Sequence, residues 1–131
     1  MKGSESILQR GGEDVDLLVA FDEGNITHLL LIEAKGETGW TNKQTLSKAN
    51  RLERIFGTDG TNYPQVKPHF GLMSPRPPKQ LKSRLWPAWM TRNGEHIWFE
   101  LKVPSDRRRV MRCDSIGRPS AGGDSFRALN C

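Results

Sequence analysis

One run of this chain, Leu29-Leu30-Leu31-Ile32, is apolar at four consecutive positions and constrains the fold more than any other feature. Side chains of a strand alternate between faces, so a stretch over residues 26–34 with both parities apolar predicts a strand covered on both sides. That requirement points to an α/β sandwich, a sheet with helices packed against it. The run ends in Glu33-Ala34-Lys35, and an earlier strand-like stretch opens on acid, Glu13-Asp14-Val15-Asp16, before Leu17-Leu18-Val19. Carboxylates at the ends of strongly apolar strands cost desolvation energy unless they are hydrated, paired or bound to a cation. Mg²⁺ meets that need with one or two carboxylates, leaving its other positions to water and phosphate. The pattern suggests phosphodiester hydrolysis.

Parity tests whether the acids meet. Asp22-Glu23-Gly24-Asn25 is the evident turn between the two strands. A loop of two or four residues centred there sets Asp16 against Leu31 and Asp14 against Glu33, and gathers Asp14, Asp16, Glu33 and Lys35 on one face. An odd loop or a bulge sends the aspartates to the other face.

An aspartate near one strand's start, sixteen intervening residues with a turn in the middle, and Glu-x-Lys at the next strand's end resemble the PD-(D/E)xK nuclease superfamily. The residues carrying the resemblance are Asp16, Glu33 and Lys35, followed by a helix with Gln44 and Lys48; the resemblance extends over residues 5 to about 75. The resemblance implies a restriction-endonuclease-like three-layer α/β core, a central mixed β-sheet flanked by helices. It also implies a metal-dependent endonuclease acting on DNA. Asp16, Glu33 and the Ala34 carbonyl would hold Mg²⁺ or Mn²⁺, Lys35 would orient water or stabilise the phosphorane, and Gln44 would assist. Glu5, on a short opening helix, Asp14 and Lys48 form a second tier.

Further along, Ser4 caps an expected helix to Arg10, ended by Gly11-Gly12. Residues 42–56 place Leu46, Ala49, Leu52, Ile55 and Phe56 at helical spacing, with Gly57 as a stop. Gln44 and Lys48 share a face of that helix, which either reaches the acids or is simply solvated. Residues 66–73 read as a strand ended by Pro75, Pro77 and Pro78, and residues 81–90 as a short helix or irregular cover. Residues 97–103 and 108–113 read as a C-terminal hairpin turning at Pro104, Ser105 and Asp106. The tail after Ser115 is rich in Gly and Ser and reads as mobile or ordered by a partner.

With 131 residues, 35% hydrophobic and 27% charged, a single domain with a modest core is expected, its core over 5–113 and its tail over 114–131. No apolar run is long enough for a membrane helix, and no secretory signal precedes the first strand, so the expected location is intracellular, in the cytoplasm. Cys113 and Cys131 offer neither a disulfide framework nor zinc spacing, and His28, His69 and His96 lack HxH or HxxxH spacing. Net charge is +5. Residues 1–37 are acidic and the basic excess lies downstream, including Arg107, Arg108 and Arg109, which are candidates for phosphate contact. Trp40, Trp86, Trp89 and Trp98 are expected in the core or at interfaces rather than on bases. Nucleic acid is the expected partner, and a homodimer would be needed to cut both strands of a duplex in one event. Two other readings stand beside the nuclease: a catalytically silent nuclease-like module that binds nucleic acid or protein, and a small structural subunit with an acidic face.

Overall fold

The computed structural model describes residues 15–36 and 38–130. The expected opening helix with Glu5, and the acids Glu13 and Asp14, lie outside the described residues. Contacts divide the chain into two compact units, one ending at Leu101 and one starting at Lys102.

The first unit is a mixed α/β fold. Strands β1 (Leu17–Glu23) and β2 (Ile26–Ala34) form an antiparallel hairpin, and β3 (Val66–Ser74) joins β2 in parallel after the helix α1 (Asn42–Phe56), the single α-helix among the described residues. The short strands β4 (Thr91–Arg92) and β5 (Glu95–His96) pair with each other, and β6 (Trp98–Glu100) completes the sheet order β1-β2-β3-β6. Two 3₁₀ turns, Ser83–Leu85 and Ala88–Met90, occupy the stretch expected to be irregular cover.

The β1–β2 turn differs from expectation. Gly24 takes φ +62°, the value needed at the first position of a type II′ turn, so the loop contracts to Gly24-Asn25. Asp22 and Glu23 join β1 instead, where Asp22 accepts a hydrogen bond from the Thr27 hydroxyl at 2.7 Å. Leu17 therefore pairs with Ile32, and one further step sets Asp16, rather than Asp14, opposite Glu33. The shift is two positions, so the parity argument survives it.

Helix α1 starts at Thr41, whose hydroxyl accepts from the Gln44 amide at 3.4 Å, and ends at Gly57, at φ +88°. Its buried stripe is Thr45, Lys48, Ala49, Leu52 and Phe56; Ile55, expected inside, is exposed. This stripe lies on Leu31, Phe70 and Leu72, with Trp86 and Met90 closing the core. Each such large apolar side chain contributes about 1.5–3 kcal/mol on burial. Pro68 is tolerated within β3 because alternate amides there face β6, as Leu72 does in donating to Ile97, and β6 pairs only with Leu72, Met73 and Ser74.

On the opposite face of the sheet, His28 and Ile32 of β2 are buried, whereas β1 is exposed along its whole length. Phe99 lies against Gly71, where an added Cβ would come within 2.6 Å of its ring. No helix among the described residues is long and apolar enough to cross a membrane.

The second unit corrects the expected C-terminal hairpin and the mobile tail together. Strand β7 (Arg108–Cys113) pairs antiparallel with β8 (Ser125–Asn130), formed from that tail, while β6 is taken by β3. Asp114 organises the return of the chain: its carboxylate accepts from the Ile116 and Arg118 amides, at 3.0 and 2.9 Å, and Gly117 turns at φ +82°. Cys113 is a buried free thiol.

Candidate active site

The C-terminal end of β2 carries Glu33 and Ala34, with Lys35 following directly, and the N-terminal half of α1 faces it. Odd positions of β2 point toward the helix, as Leu31 does in the core, so Glu33 and Lys35 share that face. Gln44 and Lys48, four residues apart on α1, come down onto it. Glu33, Lys35, Trp40, Gln44, Thr45 and Lys48 line one cleft of about 170 Å³, floored by Phe70 and Leu72. Both residues of the Gln44/Lys48 face line the cleft, Lys48 buried and Gln44 exposed.

The pairing within the cleft is crossed. Lys35 Nζ donates to Gln44 Oε1 at 2.9 Å and to the Gly39 carbonyl at 3.4 Å, and lies 5.5 Å from the centre of the Trp40 ring. Glu33 is met by Lys48, whose Nζ is 3.0 Å from Oε2. That oxygen is buried, and the contact has the distance of an ion pair without the alignment of a hydrogen bond. Lys48 is almost fully buried, and stripping one partner from such a pair costs about 3–5 kcal/mol.

Asp16 sits just before β1, exposed and outside the lining of the cleft. Its Oδ2 accepts the Ala34 amide hydrogen at 2.7 Å. The amide and carbonyl of one strand residue point to the same edge, so the Ala34 carbonyl faces the side on which Asp16 stands. Asp16, Ala34 and Glu33 are thus neighbours, with one Asp16 oxygen outside that bond and one Glu33 oxygen without a hydrogen bond. Such a donor set of two carboxylates and a carbonyl suits a hard cation that keeps several waters. Among the described residues no group of three or more His, Cys, Asp or Glu side chains forms a metal cage.

Sequence reasoning missed Trp40 and Thr45 in the lining. Trp40 is anchored by its indole N–H, which donates to Ser74 Oγ at 3.3 Å, and Trp98 donates to the same oxygen at 3.1 Å. Its position directly before the helix cap was the available signal.

A second polar cluster occupies the other end of β2. His28 Nδ1 and His69 Nε2 are 2.8 Å apart, His28 Nε2 is 3.2 Å from Glu23 Oε2, and the Phe21, His28 and His69 rings stack in sequence. Burial, with the His28 and Lys67 charges adding to it, holds His69 below the usual imidazole pKa. In the second unit, strand alternation sends Arg108 and Arg109 to opposite faces of the β7–β8 hairpin, so the arginine run does not form one phosphate-binding surface. Arg112, on the Arg108 face, lies 5.3 Å from the Phe126 ring.

Comparison of the chain with protein-family models, curated proteins and solved structures finds no match.

Proposed function

We propose that this protein is a metal-dependent nuclease that hydrolyses phosphodiester bonds, most naturally in DNA, on a restriction-endonuclease-like three-layer core. The observation that carries the reading is the convergence of Glu33, Lys35, Gln44 and Lys48 on one cleft, with Asp16 bonded to the intervening backbone at Ala34.

Asp16, Glu33 and the Ala34 carbonyl would hold Mg²⁺ or Mn²⁺, which supplies an activated water and offsets charge on the phosphorane. Lys35 does the work that remains. Its ammonium is held by two neutral acceptors, Gln44 Oε1 and the Gly39 carbonyl, so its positive charge is not neutralised and faces a non-bridging phosphate oxygen or the incoming water. With Oε1 occupied by Lys35, the Gln44 amide NH₂ points away as a donor for the same phosphate. Phe70 and Leu72 floor the cleft with apolar surface, which lowers the local dielectric and strengthens both contacts.

The silent binding module keeps one observation in its favour, the lack of a three-residue cage among the described residues. Cleavage of labelled DNA and RNA in Mg²⁺, Mn²⁺ or EDTA separates the two. The nuclease cuts only with metal and stops cutting in Glu33→Gln; a module binds nucleic acid and leaves it intact under every condition.

A further inference from the structure

The buried stripe of α1 contains Thr45, Lys48, Ala49, Leu52 and Phe56, and one of these is out of place. Lys48 is 4% exposed, at a position where methionine or leucine would fill the same space without desolvating an ammonium. Its charge therefore needs a reason in what it meets. It meets Glu33 Oε2 at 3.0 Å, and that oxygen makes no hydrogen bond. A poorly aligned ion pair gives up less than an aligned one when another cation takes its place at the carboxylate. Both groups line the cleft, so the ammonium has somewhere to go.

We infer that Lys48 is a built-in counter-cation for Glu33, which a divalent ion must displace, and that the displaced ammonium is taken up by a phosphodiester oxygen in the same cleft. Two cations at one carboxylate repel each other, so the ion binds weakly alone. A phosphodiester that accepts Lys48 removes the repulsion, and by linkage the ion strengthens phosphodiester binding by the same factor. Lys48 is then the positioning residue that makes metal and substrate bind together. This inference rests on Asp16 and Glu33 being metal ligands, and its test separates the two ideas.

Mn²⁺ binding to the full chain is titrated by loss of the free-ion EPR signal, with and without dimethyl phosphate, a stable phosphodiester. The wild type binds Mn²⁺ more tightly when dimethyl phosphate is present. Lys48→Met binds Mn²⁺ alone about tenfold more tightly than the wild type and loses the effect of dimethyl phosphate. Equal or weaker Mn²⁺ binding in Lys48→Met, or no coupling in the wild type, overturns the inference. Mn²⁺ binding unchanged in Glu33→Gln overturns the ligand assignment beneath it as well. If Lys48→Met does not fold, wild-type coupling decides alone; the double variant Glu33→Gln/Lys48→Met, which removes both charges of this ion pair, shows whether the loss of fold came from the stranded carboxylate.

Discussion

The two ends of β2 each carry acids and bases, yet they differ in what those groups have left to give. At the N-terminal end, Glu23, His28 and His69 form a chain in which the middle ring is engaged at both nitrogens, and Phe21 caps the stack. At the C-terminal end, Glu33 meets Lys48 in an ion pair that lacks hydrogen-bond alignment, one Asp16 oxygen stands outside the Ala34 contact, and Lys35 is held by neutral acceptors. One cluster spends both nitrogens of its central ring on its own members and reads as structure. The other sets Glu33 and Lys35 on a cleft, the first in a poorly aligned ion pair and the second against neutral acceptors, which is what binding or chemistry requires.

That contrast is broken most severely by removing the charge at the open end. Glu33→Gln should abolish metal-dependent cleavage, a loss of about a thousandfold or more in kcat, because it takes away a ligand and leaves Lys48 opposite a neutral amide. Equal cleavage in this variant ends the catalytic reading. Lys35→Ala should cost roughly a hundredfold to a thousandfold in rate and little in stability, since its partners are neutral and exposed; rate and melting temperature measured together check both halves. Leu72→Ala, in the cleft floor, should act on the fold instead, lowering stability by about 2–5 kcal/mol in urea unfolding because Leu72 is fully buried.

The smallest effect belongs to the closed end and depends on pH. His69 has a lowered pKa in the fold, so between that value and the ordinary imidazole value near 6.5 the unfolded chain binds a proton that the native chain does not. Stability is therefore full above about pH 6.5 and declines as pH falls toward the folded pKa. Thermal melts from pH 7.5 to 5 should show this shallow decline, and His69→Asn should flatten it. An unchanged slope in His69→Asn would assign the decline to other groups.

Much of the first unit was legible because its signals are local. The apolar run and the glycine after Phe56 set β2 and α1 to the residue. The first turn was misplaced by its acids: Asp22 and Glu23 look like loop residues until the cross-strand partners Thr27 and His28 absorb them. The fates of β6 and β7 were not legible at all. Both read as strands, but the choice of β3 and β8 over each other is made by distant segments. In the candidate site, Asp16, Glu33 and Lys35 stood out by strand parity, and Gln44 by what the resemblance implies. Lys48 was assigned with Gln44 to a face left open between the acids and solvent; its burial was not legible because a lysine in a core stripe violates the rule that makes the stripe visible.

The measurement that bears most directly on the central claim is anomalous diffraction from crystals soaked in Mn²⁺. The account predicts a peak within coordination distance of Asp16, Glu33 and the Ala34 carbonyl, at the open end of β2. A peak at Glu23, His28 and His69 instead, or no ordered peak at saturating Mn²⁺, would contradict it.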